Sequence, residues 1–314
     1  MSIHSVTVVG ANGNLGGPVL HALRTAGTFR VNVLQRATSK SVVPGESDGT
    51  VNVLRVDAWT VERLAHLLRG QDAVVVTFPL RNVDDHLALA EAAQAAGVRR
   101  YIPADFGSVD ARSERARQLV PLFEKKERVR AKLIELAAAG APGRFTWTSI
   151  VGGHFFDWGL RENFLHANLA THTAEILDDG TARSSLSTLA RYGEAVVRIL
   201  ARGADDAATA NRVLFIQSFC ASQNDVLRAL EKATAVVPGG GKPWTVRHID
   251  SGAFIAEHKQ KADAGAAASI EELVFALGVI EGDWTQKPDF AMDLLGLKDE
   301  DLDAVVTSVM AEYN

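Results

Sequence analysis

A strand, a glycine-rich turn and a helix start follow one another directly near the beginning of the chain, and this order constrains the fold more than any other feature. The apolar run Val6–Val9 predicts a short, fully buried strand. It passes straight into Gly10-Ala11-Asn12-Gly13-Asn14-Leu15-Gly16-Gly17, and helix-forming residues follow from Pro18 to Leu23. A strand, turn and helix in this order form the context that a dinucleotide-binding fingerprint requires.

The three spaced glycines have separate expected roles. Gly10 permits a tight turn, Gly13 lets backbone approach a pyrophosphate, and Gly16 lets the helix pack on the strand. Amides at the helix start, at the positive end of its dipole, would hold the phosphates. The spacing G-x-x-G-x-x-G is typical of Rossmann folds of the short-chain dehydrogenase type; the alternative is a glycine turn without a ligand. The predicted cofactor residues of this turn are Gly10, Asn12, Gly13, Asn14, Leu15 and Gly16.

Strands and helices alternate through the first half, which favours an α/β fold of the Rossmann type with a doubly wound parallel sheet. The predicted strands are residues 6–9, 30–35, 51–56, 73–78, 100–103 and 145–151. The predicted helices between them include residues 60–69, 84–96 and one long helix over 114–139.

The alternation loosens beyond Gly152, which predicts a second, smaller region. We expect residues 1–152 to form the NAD(P)-binding domain and 153–314 to be mainly substrate-binding, with a segment at about 184–220 returning to the first domain. The clearest break is the proline- and glycine-rich stretch 236–243. The other expected elements of this half are helices over 188–201 and 224–234, strands over 213–217 and 244–248, and a mainly helical last seventy residues or so.

Composition excludes several classes of partner. A net charge of −5 gives no argument for nucleic-acid or membrane binding. The single cysteine, Cys220, excludes an internal disulfide and offers no zinc cluster, so no metal site is predicted. Neither a signal peptide nor an apolar run of transmembrane length is evident. We therefore expect a cytoplasmic protein with a small-molecule substrate, and an oligomer is possible.

The residues that follow the second, third and fourth strands predict the kind of nucleotide. Arg36 and Lys40 follow the second strand, where an NAD enzyme usually places an acid, so a 2'-phosphate and hence NADPH/NADP⁺ is favoured. The alternative is that both are solvated surface charges. Asp57 ends the third strand and would accept from the adenine amino group or cap the next helix. Thr77 and Phe78 end the fourth strand at the edge where ligands bind.

The catalytic group is predicted on the long helix. The tyrosine–lysine dyad of short-chain dehydrogenases is absent, because Asp105 and Val196 stand four residues after Tyr101 and Tyr192. Lys126 instead falls on an apolar stripe at helical spacing, which predicts an inward-facing ammonium suited to acid/base work beside the nicotinamide. The alternative is a lysine stem that covers apolar surface. The stripe consists of Leu119, Leu122, Val129, Leu133 and Leu136.

These motifs together resemble the isoflavone reductase and phenylcoumaran benzylic ether reductase group of NmrA-like, atypical short-chain dehydrogenases. The resemblance rests on residues 10–16, Arg36 with Lys40, Arg100-Tyr101-Ile102-Pro103-Ala104-Asp105-Phe106-Gly107, and Phe123-Glu124-Lys125-Lys126. It covers about the first 160 residues well. It implies that Arg36 and Lys40 hold the 2'-phosphate of NADPH and that Lys126 is the acid/base at the nicotinamide.

Five residues at the ends of the fifth and sixth strands are predicted to bind substrate. Asp105 would touch substrate or order the loop over the cofactor, and His154 would bond a substrate oxygen or be structural. The aromatic residues would form an apolar wall suited to an aromatic or polycyclic substrate, or belong to the core. The five are Asp105, Phe106, His154, Phe155 and Trp158.

The sequence as a whole predicts an NADPH-dependent reductase of secondary metabolism, acting on a small apolar or aromatic carbonyl, enone or benzylic ether. Two alternatives stay open at this point. One is an NADP(H)-sensing regulator without catalysis, as some NmrA-like proteins are. The other is a redox-neutral isomerase or cyclase on the same fold.

Overall fold

A computed structural model describes residues 1–140, 144–236 and 242–313. Residues 237–241, the greater part of the predicted break at 236–243, lie outside this description. In chain order the elements are β1 (Ser5–Val9), α1 (Gly16–Ala26), β2 (Arg30–Arg36), β3 (Val51–Val56), α2 (Val61–Leu68), β4 (Ala73–Val76), α3 (Val83–Ala95), β5 (Arg100–Ile102), α4 (Glu114–Leu119), α5 (Pro121–Ala139), β6 (Thr146–Val151), β7 (His154–Phe155), α6 (Phe156–Arg161), β8 (Ala167–Asn168), β9 (Thr173–Leu177), β10 (Arg183–Ser187), α7 (Leu189–Ala201), β11 (Arg212–Phe215), β12 (Phe219–Ser222), α8 (Gln223–Val236), β13 (Thr245–Ile249), α9 (Ser251–Asp263), α10 (Ala268–Glu281), α11 (Met292–Leu295) and α12 (Leu302–Tyr313).

Seven parallel strands form the central sheet, in the order β11-β6-β5-β4-β1-β2-β3. β1 lies between β2 and β4, with Val6 opposite Val31 and Ala73. From β1 the chain adds β2 and β3 on one side of the sheet. It then returns to β4 on the other side of β1 and adds β5, β6 and β11 there. A crevice therefore opens at the carboxyl ends of β1 and β4, which is where ligands bind in sheets of this kind.

Helices cover both faces of this sheet, which explains why its inner strands are apolar on both sides. Val6 and Val8 of β1 pack with Leu20 of α1 and with α7 on one face. Val74 and Val76 of β4 point to the opposite face, where α2, α3 and α5 pack. The alternation of side chains along each strand thus divides the core into two layers.

The prediction of a single helix over 114–139 is wrong in one respect, because this segment forms two helices, α4 and α5. Val120 between them is extended, with φ −131° and ψ 111°, and Pro121 is the first residue of α5. Proline disfavours the helical conformation of the preceding residue but suits the first turn of a new helix. Leu119 therefore lies on α4, and the stripe that carries Lys126 begins with α5.

Two small sheets in the second half were not predicted. They are formed by β12-β10-β7 and by β13-β9-β8. β11 pairs in parallel with β6 at the edge of the central sheet, and α7 packs on α1. β10 and β12 belong instead to the small sheet β12-β10-β7. The segment predicted to return at about 184–220 therefore contributes to the central sheet and to this small sheet. The division of the chain at residue 152 stays a prediction.

Buried Arg100 ties β5 to its neighbours and so fixes the start of the following loop. Its guanidinium donates to the hydroxyls of Thr146 and Thr148 on β6, at 3.0 and 2.7 Å, and to the carbonyls of Gly203 and Ala204. Burial lowers its pKa to about 10. This network of hydrogen bonds satisfies a charge that lies in the protein interior.

None of the helices in the described part of the chain combines the length and the apolar character needed to cross a membrane.

A pair of neighbouring glycines offers a test of how α1 is packed. A Cβ at Gly16 would lie 2.0 Å from the carbonyl oxygen of Gly10, whereas a Cβ at Gly17 would meet nothing within 4 Å. We expect Gly16→Ala to lower the free energy of unfolding by about 2–3 kcal/mol. Gly17→Ala should be neutral or should raise it by up to about 1 kcal/mol, because alanine favours helix over glycine. Equal effects in urea denaturation would contradict this packing.

Candidate active site and nucleotide cleft

A cleft of about 450 Å³ lies at the carboxyl ends of the strands around the crevice. Its floor is the glycine turn after β1. Gly10 has φ +97°, and a Cβ there would lie 2.6 Å from the backbone nitrogen of Phe78. Only glycine therefore lets the turn pass this close to the end of β4. The lining consists of Val9, Gly10, Ala11, Asn12, Gly13, Val33, Leu34, Gln35, Arg36, Ser39, Ser41, Trp59, Phe78, Pro79, Arg81, Asn82 and Asp85.

Five residues of the predicted cofactor set line this cleft, namely Gly10, Asn12, Gly13, Arg36 and Phe78. The other predicted turn residues lie at the start of α1. Leu15 is the residue before the helix, which has no side-chain cap, and Gly16 is its first residue. Asn14 directly precedes them. An uncapped helix start beside a glycine turn can receive an anion.

Four other predicted cofactor residues lie outside the lining of the cleft; they are Thr77, Lys40, Asp57 and Lys126, and Lys126 lines a cavity of its own. Thr77 is buried, and its hydroxyl donates to the carbonyl of Val9 at 3.1 Å. Lys40 is exposed. Asp57 is exposed and accepts from Arg63 at 2.7 Å. The alternative that Asp57 caps α2 is wrong, because the side chain of Thr60 occupies the cap position. Cofactor contacts of Lys40, Asp57 and Thr77 stay predictions.

Sequence reasoning missed the residues that form the far wall of the cleft. Trp59 donates its indole N–H to the carbonyl of Asp85 at 3.0 Å and packs edge-on against Phe78, with ring centroids 5.8 Å apart. The guanidinium carbon of Arg36 lies 5.5 Å from the centre of the Trp59 ring. Arg81 also lines this wall. Trp59 and Arg81 follow shortly after the ends of β3 and β4. This position could have predicted that they line the cleft, because both strands end at the ligand-binding edge.

Lys126 faces inward, as the stripe predicted, and is only 8% exposed. Its ammonium donates to the carbonyl oxygen of Asp105 at 2.6 Å, and Nζ lies 3.5 Å from Oδ1 of the same residue. It lines a small cavity of about 10 Å³ together with Leu80, His86 and Ser149. The amine is therefore held in the interior beside the loop that follows β5.

Asp105 is the centre of a buried ionic cluster. Arg130, one turn after Lys126 on α5, donates to Oδ2 of Asp105 at 2.6 Å and to Glu127 at 2.5 Å. Burial by itself raises the pKa of Asp105, but the charges of Arg130 and Lys126 outweigh it and hold the pKa below its usual value. Burial lowers the pKa of Lys126, and the carboxylate of Asp105 opposes this effect. Of the two roles predicted for Asp105, ordering its loop is the one visible in these contacts.

A loop over residues 78–82 separates the cleft from the lysine cavity. Arg81 lines the cleft, while Leu80 lines the cavity of Lys126. Lys125 donates to the carbonyl of Arg81 at 2.9 Å. Buried His86 stacks on Phe78 with ring centroids 4.0 Å apart, and burial lowers its pKa to about 4. The loop is therefore held between α3 and α5.

Two of the predicted substrate residues pack on Tyr192. Phe106 is buried, has φ +39°, and meets the Tyr192 ring edge-on at 5.7 Å; Phe155 meets the same ring at 5.1 Å. The Tyr192 hydroxyl donates to the carbonyl of Gly153 at 2.8 Å, and burial raises the pKa of this tyrosine well above its usual value. The aromatic residues here thus contribute to the core next to the end of β6.

His154 and Trp158 follow β6 along the chain, in β7 and α6 respectively. The Nε2 atom of His154 is 3.2 Å from the carbonyl oxygen of Val274, and burial lowers the pKa of this histidine to about 4. A neutral ring facing a carbonyl must carry its proton on Nε2. His154 lines an apolar cavity of about 40 Å³ different from that of Lys126. Trp158 packs against Phe164 at 5.7 Å. Substrate contacts of the five predicted residues stay predictions.

Comparison with known proteins places this arrangement in a family. The profile of the NmrA-like family matches residues 3–235. The chain is 33% identical over 309 residues to oxidoreductase aprR of Aspergillus flavus, a match that covers 97% of this chain and 98% of that protein. It is 25% identical over 219 residues to isoflavone reductase of Glycine max, covering 67% and 65%. The solved complex of leucoanthocyanidin reductase with NADPH from Vitis vinifera has a TM-score of 0.76 at 18% identity, covering 98% of this chain and 99% of that chain.

These matches bear on the predictions made from the residues. The resemblance to isoflavone reductases and the Rossmann-type α/β fold are confirmed. The predicted class, an oxidoreductase, is confirmed by a relative of that class that matches nearly end to end. Because the family profile spans well over half of the 314 residues, the protein belongs to the NmrA-like family.

Proposed function

We propose that this protein is an NADPH-dependent reductase that transfers hydride to a small apolar or aromatic substrate. The observation that carries the proposal is the glycine-floored cleft at the sheet's crevice, with Arg36 at its outer end. Relatives and structural neighbours include an isoflavone reductase and a leucoanthocyanidin reductase bound to NADPH.

The residues of the cleft fit such a nucleotide. The glycine turn lines the cleft, and backbone amides at the uncapped start of α1 would hold a pyrophosphate there. Trp59 and Phe78 offer aromatic surfaces to a planar ring. Arg36 supplies a guanidinium to a 2'-phosphate. When bound, the nucleotide would supply the hydride, and the chain would hold it and manage the proton.

We assign Lys126 as the group that donates this proton. Its lowered pKa and its position on α5, next to the loop that follows β5, suit a general acid that protonates the oxygen or the adjacent carbon of the reduced substrate. Asp105 and Arg130 would position the amine between turnovers. A displacement of the loop over residues 78–82 would open the lysine cavity to the cleft, and a substrate in the cleft could then contact the amine.

The apolar cavity beside His154 supports the proposed substrate class, as do the isoflavone reductase and leucoanthocyanidin reductase among the relatives and structural neighbours. Carbonyls and enones accept hydride from a nicotinamide at carbon and a proton at oxygen or the adjacent carbon. A benzylic ether accepts hydride at its benzylic carbon as the C–O bond breaks, and the leaving oxygen takes the proton. We place the reaction in secondary metabolism. We further propose that the protein is cytoplasmic and that residues 153–314 form the main part of the substrate region.

A second candidate is an NADP(H)-sensing regulator without catalysis. The observation in its favour is that the Lys126 amine is bonded within a buried cluster and does not line the cleft. A redox-neutral isomerase or cyclase is the third possibility. A panel of aromatic enones, ketones and benzylic ethers, assayed for NADPH oxidation and for products, separates the three. Nucleotide binding with no turnover on any compound would favour the sensor, and product without NADPH consumption would favour the isomerase.

Replacement of the buried amine tests the assigned acid. We expect Lys126→Met to reduce turnover by about 10²–10⁴-fold, the usual contribution of a positioned general acid, while NADPH affinity stays within about threefold. Lys132→Met is the matched control, since Lys132 is on the same helix and forms ion pairs with Glu91 and Glu135. Turnover of Lys126→Met close to that of the control would remove Lys126 from the mechanism.

The two ends of β2 provide a matched test of nucleotide choice. Arg36 and Arg30 are the exposed last and first residues of the strand, and only Arg36 lines the cleft. We expect Arg36→Ala to weaken NADPH binding by about tenfold to a hundredfold through loss of a charge-assisted contact, and NADH binding little. Arg30→Ala should change neither. Equal losses for both nucleotides in Arg36→Ala, measured by fluorescence titration, would contradict the assignment.

A further inference from the structure

The end of the cleft that holds Arg36 also contains an acid. Oδ2 of Asp85 lies 3.6 Å from a terminal guanidinium nitrogen of Arg36. Both residues line the cleft. The side chain of Arg36 is 63% exposed and that of Asp85 only 28%. A 2'-phosphate that approaches Arg36 therefore meets a guanidinium that already has a carboxylate partner.

Asp85 is held in place by its surroundings. It lies in the first turn of α3, where a carboxylate is favoured by the helix dipole. Its backbone carbonyl accepts the indole N–H of Trp59 at 3.0 Å, and the Trp59 ring in turn lies under the guanidinium of Arg36. The acid, the arginine and the indole thus form one unit at the mouth of the cleft. A phosphate bound to Arg36 would lie close to the Asp85 carboxylate, and two anions on one guanidinium repel each other.

We propose that Asp85 is a specificity-determining residue of the nucleotide cleft, which competes with the 2'-phosphate for Arg36 and so limits the preference for NADPH over NADH. This inference rests on the proposed function, since it takes the nucleotide to be bound with its 2' position at Arg36. The acid reaches this position from α3, rather than from the end of β2 where sequence comparison of nucleotide sites looks for it.

Nucleotide affinities of an isosteric variant test the proposal without any substrate. We expect Asp85→Asn to tighten NADPH binding by about threefold to fivefold, as for an ion pair near the surface, and to leave NADH binding unchanged within error. The bond from Trp59 to the backbone of residue 85 does not need the carboxylate, so the wall should keep its shape. Asp84→Asn is the matched control, because Asp84 is exposed in the same helical turn and does not line the cleft.

A double-mutant cycle decides whether Asp85 acts through Arg36. In an Arg36→Ala background we expect Asp85→Asn to lose most of its effect on NADPH affinity. Unchanged or weaker NADPH binding in the single variant Asp85→Asn, or a full gain that persists without Arg36, would overturn the inference. Failure of the wild-type protein to bind either nucleotide would instead overturn the proposed function and the inference with it, so the two failures are distinguishable.

Discussion

The close approach of β1, the glycine turn and α1 is the constraint on which the rest of the structure depends. The space that a Cβ at Gly16 would need is occupied by the carbonyl of Gly10, and the space at Gly10 by the backbone of Phe78. Three segments therefore meet without side chains between them. This contact places the uncapped end of α1 at the crevice between β1 and β4. It also brings the glycine turn against the first residue of the loop after β4, Phe78.

A buried ionic cluster lies on the other side of that loop. Two cations from α5, Lys126 and Arg130, converge on Asp105, and the carboxylate stays ionised in the interior because both charges lie within 4 Å of it. The carboxylate needs at least one of these cations, because a buried charge without a partner is strongly destabilising. The cluster thus keeps the lysine amine inside the protein and in a defined place, which suits a group that is to exchange a proton away from bulk water.

The loop over residues 78–82 connects these two features. One of its faces borders the nucleotide cleft and the other borders the lysine cavity, and His86 and Lys125 hold it from α3 and α5. The proposed chemistry and the sensor alternative differ in what this loop does. The reductase proposal requires that the substrate reach the amine past this loop, whereas the sensor alternative does not require such access.

The sequence by itself determined the β–α unit at residues 5–26, the parallel sheet and the inward direction of Lys126, because strand, turn and helix signals are local and agree with one another. It also indicated Arg36 at the cleft. The break at Val120 was equally local, since Pro121 signals it, but the helical stripe obscured it. Only the tertiary structure decided that Asp105 and Arg130 join Lys126 in one cluster, that Trp59 and Asp85 lie against Arg36 in the wall of the cleft, and that Phe106 and Phe155 pack on Tyr192. Apart from Arg130, which lies one helical turn after Lys126, these contacts join residues that are roughly 20 or more positions apart. In one sequence nothing but the completed fold specifies which distant side chains meet.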